Sequence, residues 1–299
     1  MHPGDPDPDR LTTNTTREEE TMAGYEHEGL RVDLDAGVAF VTLDHPPVNL
    51  FDAVLIGSLS GLAAELADDD DVRAVVVRSA DPEFFIAHAD LALIQALPRE
   101  RRDRPEKLEF IHEFMEQWRT LPQVTIAQLE GRARGGGSEF ALSLDLRFGA
   151  VARAILCQPE VAVGILPGGS GTQRLPRLVG RGRALEIVLG CEDFDAELAE
   201  RYGWINRALP AAELGPFVDR LARRIAAFPA HAVRLAKRAV DASGGALHDG
   251  LLEEAHCFNL TLGDPGLDAR MEGALAAGAQ TREGELDLPA LIDRSLEPG

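Results

Sequence analysis

An α/β core followed by a helical C-terminal third is the architecture this chain encodes, and three observations lead to it. Strand and helix patterns alternate from Val38 to Gln158. Val72 to Val77 contains three consecutive valines, the composition of a strand buried on both faces. Beyond Pro167 the pattern is helical. With 299 residues, 45% hydrophobic and 27% charged, the chain can bury a core without disulfides or metals. The expected organisation is a disordered tail over 1–24, an α/β core over 25–210 and a C-terminal helical region over 211–299.

The tail, rich in Pro, Asp, Thr and Glu, lacks the apolar surface needed to offset its ordering entropy. Val38 to Leu43 then reads as a strand, closed by Pro46-Pro47, which cannot continue a ladder. Asp52 is placed to cap a helix running to about Leu66, with Leu55, Leu59, Leu62 and Leu66 on one stripe. After the acidic turn Asp68 to Asp71 comes the Val72 to Val77 strand, so strand, helix, strand predicts a right-handed crossover. Leu108 to Trp118 has helical spacing, with Leu108, Ile111, Phe114 and Trp118 inward, and Leu121-Pro122 ends it. Val124 to Leu129 is the next strand, Gly131 to Gly137 a Gly-rich loop, and a short helix follows through Leu144. Leu146 to Val151 and Ile155 to Gln158 are short strands. Helices are expected over 172–178, 182–189, 196–202, 212–227, 230–242, 247–260 and 265–277.

Composition excludes several functions. Thirty Lys+Arg against 50 Asp+Glu give a net charge of −20, a surface that repels nucleic acid and anionic lipid. No apolar run reaches the roughly 20 residues of a membrane span. Cys157, Cys191 and Cys257 are odd in number and form no CxxC pair, which disfavours a disulfide framework and a zinc knuckle. No metal site is expected. With no secretory pattern at the N-terminus, the expected location is the reducing cytoplasm.

Three constellations carry candidate chemistry. Arg134-Gly135-Gly136-Gly137-Ser138-Glu139 lies between a strand and a helix. Glycines let backbone amides approach a ligand, and the first amides of a helix suit an anion or an oxygen that becomes negative; the alternative is a flexible turn. Glu139 and Glu160, 21 residues apart, are each followed by apolar residues. Two carboxyl groups in such surroundings can share a site in which one is protonated and the other ionised, as acid–base catalysis requires; the alternative is two surface glutamates. In Ala87-His88-Ala89-Asp90-Leu91, His88 is a candidate base or a structural histidine, and Asp90 can cap the next turn.

These segments together resemble the enoyl-CoA hydratase/isomerase (crotonase) superfamily, over roughly Glu28 to Ala277. Val41 to Asn49 is similar to the family's opening strand and Pro-rich turn, and Ala87-His88-Ala89-Asp90 to its Ala-Gly-Ala-Asp, with His88 in place of glycine. Gly135 to Asp145 matches Gly-Gly-Gly-x-Glu-x-Ala-Leu-x-x-Asp. Gln158-Pro159-Glu160 and Gly164 to Leu175 resemble Gln-Pro-Glu and Gly-x-x-Pro-Gly-x-Gly-Gly-Thr-Gln-Arg-Leu.

The resemblance implies a spiral of ββα turns with a helical trimerisation region, assembled as a homotrimer or dimer of trimers. It implies an acyl-CoA thioester as ligand, with coenzyme A part of the substrate and no separate cofactor. By position, the Ala89 and Gly136 amides form an oxyanion hole and Glu139 and Glu160 are the acid–base pair. Ala87, His88, Asp90 and Leu91 line the substrate. The presence of both glutamates favours addition of water to a 2-enoyl-CoA. The alternatives are other enolate chemistry of the superfamily, isomerisation or decarboxylation, or a non-catalytic acyl-CoA-binding trimer.

Overall fold

The computed structural model describes residues 25–97, 106–245, 265–278 and 294. The expected tail over 1–24 and the expected helix over 247–260 lie outside the described residues.

Among the described residues the chain forms ten strands in two sheets, the long central ones from runs rich in Val, Ile and Phe. β1 (Leu30–Asp35), β2 (Val38–Leu43), β3 (Ala74–Ser79), β5 (Val124–Leu129), β7 (Leu146–Ala150) and β10 (Arg207–Leu209) make a six-stranded sheet in that spatial order. Only β1 and β2 are antiparallel there. β4 (Phe84–Ile86), β6 (Arg132–Arg134), β8 (Ile155–Cys157) and β9 (Phe194–Asp195) form the second sheet. Successive passes of the chain leave one strand in each sheet: β3 then β4, β5 then β6, β7 then β8. Helices α1 (Ala53–Asp68), α2 (Leu91–Ala96), α3 (Phe110–Arg119) and α4 (Gly136–Ser143) connect the passes, giving a ββα spiral.

The valine run is buried on both faces. Val75 and Val77 join the main core between the sheets, where Phe51, Phe85, Phe114, Trp118 and Phe140 also lie. Ala74 and Val76 face a second core under α8 (Ala211–Ala227), filled by Leu214, Val218, Ala222 and Ala226. Asp52 caps α1 by accepting from Leu55 N at 2.9 Å, and the four leucines of the stripe are fully buried.

Among the described residues, α5 (Gly171–Val179), α6 (Arg181–Gly190), α7 (Ala196–Tyr202), α9 (Ala230–Asp241) and α10 (Leu267–Ala276) join α8 in the C-terminal half. Three expectations change. The Gly131 to Gly137 loop contains β6, and β9 and β10 lie in the part read as purely helical. Strands of two or three residues are too short to show a period; pairing with β4, β8 and β7 defines them. Leu108, expected to face inward, is 56% exposed and lies before α3, which begins at Phe110.

Candidate functional site

The spiral brings the segment after β4 against the start of α4. Asn49, buried and at φ 48°, holds the first segment in place. Its Oδ1 accepts from His45 N at 2.8 Å, and its Nδ2 donates to Ser79 Oγ at 2.7 Å and Phe85 O at 3.1 Å. Ala87 N then donates to Val48 O, Phe51 N to His88 O and Asp90 N to Phe51 O. This alternation turns the Ala89 N–H away from Phe51, and no backbone acceptor meets it among the described residues. Asp90 caps α2 through Ala92 N at 2.8 Å, as expected. Leu91 is 50% exposed, and the exposed His88 ring bonds through Nδ1 to Ala89 O at 2.9 Å.

Glycines permit the second segment to close on the first. Gly135 has φ 50° and ψ −126°, a region for residues without Cβ, and a Cβ there would fall 2.9 Å from Glu160 Oε1 and 3.7 Å from His88 Cβ. A Cβ on Gly136 would lie 3.3 Å from Ala89 Cβ and 3.6 Å from Ala89 N, so the two expected amide donors are neighbours. Gly136 is the first residue of α4, where backbone N–H groups have no partner within the helix.

Glu139 lies in the first turn of α4 and is buried. Its Oε1 accepts from Gly169 N at 2.8 Å and Gly171 N at 2.7 Å. Those donors and the positive end of α5 favour the carboxylate. Burial outweighs them, and with the charge of Glu160 pushes the Glu139 pKa up to about 7. Glu160 opens a single 3-10 turn over Glu160–Val163 and is also buried, which raises its pKa. With the Gln158 amide nitrogen turned toward it, Gln158 donates to both Glu160 oxygens at 3.1 Å and accepts from Ser138 Oγ at 3.3 Å. A buried carboxyl pair with raised pKa values holds a proton near neutrality while leaving the other group able to accept one.

The structure thus brings Ala89, Gly136, Glu139 and Glu160 together, with His88 at their edge. Sequence reasoning missed the supports. Asn49 ends the segment that resembles the family's Pro-rich turn, but nothing in the sequence showed its side chain holding Ser79 and Phe85. Gly169 and Gly171 were visible as glycines, but not as donors to a residue about 30 positions earlier. Ser170, between them, stands where the quoted motif has glycine. It has φ 96°, which costs a non-glycine residue about 1–3 kcal/mol unless neighbours hold it.

A ββα spiral carrying two buried carboxyls beside two adjoining backbone amides is the arrangement of the crotonase superfamily. Residues 33–262 match the family model described as Enoyl-CoA hydratase/isomerase, and the chain belongs to that family. It is 34% identical over 238 residues to the probable enoyl-CoA hydratase echA8 of Mycobacterium bovis, covering 78% of this chain and 89% of that protein. It is 32% identical over 220 residues to the crotonyl-CoA hydratase of Syntrophomonas wolfei, covering 72% and 82%. The crystal structure of an enoyl-CoA hydratase from Bacillus anthracis superimposes with a TM-score of 0.74 at 30% identity, covering 82% of this chain and 96% of that one.

Proposed function

We propose that this protein is a hydro-lyase that adds water to a 2-enoyl-CoA thioester. The observation that carries the proposal is the convergence of buried Glu139 and Glu160 beside the adjoining Ala89 and Gly136 amides. The thioester carbonyl oxygen accepts from both amides. Glu139 removes a proton from water as its oxygen bonds to Cβ. The C=C electron pair moves toward the carbonyl, whose oxygen becomes the negative centre that the two N–H groups stabilise, each worth about 3–4 kcal/mol in the transition state. The enolate collapses as Glu160 gives its proton to Cα. Water is added across the double bond, and the proton on Glu139 returns to Glu160 through solvent after release. The reaction is redox-neutral, so no electron carrier takes part.

The relatives' names support this choice, since those of Clostridium acetobutylicum and Syntrophomonas wolfei are a short-chain-enoyl-CoA hydratase and a crotonyl-CoA hydratase. Ala87, His88, Asp90 and Leu91 form the wall along which the acyl thioester lies. The exposed apolar residues Leu189, Val240, Met271 and Leu275 suit burial against further copies in a homotrimer or dimer of trimers. No described helix is long and apolar enough to cross a membrane, and Cys157 and Cys191 are free thiols, which fits a reducing cytoplasmic setting. Loss of the conjugated-thioester absorbance of crotonyl-CoA, with 3-hydroxybutyryl-CoA identified by mass, is the test. Absence of that product at micromolar enzyme would reject hydration of this substrate.

A further inference from the structure

Ser170 lies between the two residues whose amides hold Glu139. Its φ of 96° turns the Gly169 and Gly171 N–H groups onto one oxygen, Glu139 Oε1. A serine does not rest there unaided. Its Oγ accepts from Arg174 Nε at 2.8 Å, and Arg174 Nη2 donates to Glu116 Oε1 on α3 at 2.5 Å. The neighbouring Met115 also borders the turn, since a Cβ on Gly169 would fall 3.1 Å from its Cε. The Arg174 side chain is 15% exposed. The link therefore runs from α3 through a largely buried guanidinium to the strained turn, then through two amides to the carboxylate.

We propose that Arg174 is a positioning residue: anchored by Glu116, it holds Ser170 in its left-handed conformation and so aims the Gly169 and Gly171 amides at Glu139. The quoted family motif has glycine at this position, and glycine adopts such a φ without help. The same motif has arginine at position 174, so what is particular to this chain is the Ser170 hydroxyl, which gives that arginine a side-chain acceptor in the turn. The inference deepens the hydratase proposal and rests on it for the role of Glu139, but the geometry it asserts is measurable without turnover.

The test is a 13C titration of δ-carbon-labelled glutamate in the full chain, with the Glu139 signal assigned by its absence in Glu139→Gln. Of the ionisable groups around Glu139, Glu160 on the 3-10 turn is the one whose charge raises it; Arg174 and Glu116 reach it only through Ser170. Losing the two amides removes donors that favour the carboxylate. Arg174→Ala should therefore raise the Glu139 midpoint by about one unit and lower crotonyl-CoA turnover at pH 7 about fivefold, with KM within about twofold. Glu116→Ala, which alters only the far anchor, should move the midpoint the same way by less. Adding Ser170→Gly to Arg174→Ala should return the midpoint to the wild-type value, since the turn then needs no clamp. An unmoved midpoint in both single variants, or a double variant that stays shifted, overturns the proposal. A wild-type protein that hydrates nothing while its Arg174 variant shifts as described overturns the hydratase proposal and leaves the clamp standing.

Discussion

Glu139→Gln should make the protein more stable at alkaline pH while removing its activity. Burial raises the Glu139 pKa from its ordinary 4.5 to about 7, so between those values the folded chain binds a proton that the unfolded chain releases. Stability is then lost as pH rises, the opposite of a salt-bridged carboxylate. At about 1.4 kcal/mol per unit, the raised pKa lowers stability by about 3 kcal/mol above pH 8, where the folded group must ionise, and by about 1 kcal/mol at pH 5, where only the unfolded chain gives up the proton. Glutamine has no proton to lose, and its Oε1 can still accept from Gly169 and Gly171. The stability difference between variant and wild type should therefore widen by about 2 kcal/mol from pH 5 to pH 8. In a chain this size that is a relative gain in Tm of roughly 4–8 °C. Any offset from the amide itself is common to both pH values and cancels. Thermal or urea unfolding at the two pH values measures the difference, and crotonyl-CoA hydration should fall at least about 10²-fold because an amide cannot accept the proton. A difference that does not change with pH would refute the buried, proton-holding state of Glu139. Near-wild-type turnover would remove it from the mechanism.

Glu160→Gln should lower turnover by at least about 10²-fold with the fold kept, checked by steady-state kinetics and circular dichroism. Gly135→Ala, whose Cβ would enter the space of Glu160 Oε1 from a backbone conformation reserved for glycine, should cost about 1–3 kcal/mol in urea unfolding and most of the activity; a variant equal to wild type in both would reject the packing described. His88→Gly should keep turnover on crotonyl-CoA within about threefold, because the two glutamates suffice for hydration. Loss of a limb of its pH profile between about pH 5 and 8 would instead make the imidazole an acid or base. Light scattering at micromolar concentration should give the mass of three or six chains, and a monomer would reject the assembly.

Much of this molecule is legible in the local pattern of its sequence. The stripe Leu55, Leu59, Leu62 and Leu66, its cap Asp52 and the buried valines are short-range consequences of side-chain period, and each appears in the structure where the chain encodes it. Ordered motifs likewise marked out Ala89, Gly136, Glu139 and Glu160. Strands as short as β6, β9 and β10 were not legible, because they exist by pairing with distant partners and not by any propensity of their own. The same limit applied at the site. That Glu139 is buried against the amides of Gly169 and Gly171, that Gln158 faces Glu160, and that Ser170 is held at positive φ by an arginine anchored on another helix are contacts between residues brought together by the spiral. Side-chain type and spacing specify which groups are available. Their protonation depends on how far water is excluded and which dipoles face them, and packing across the whole fold sets both.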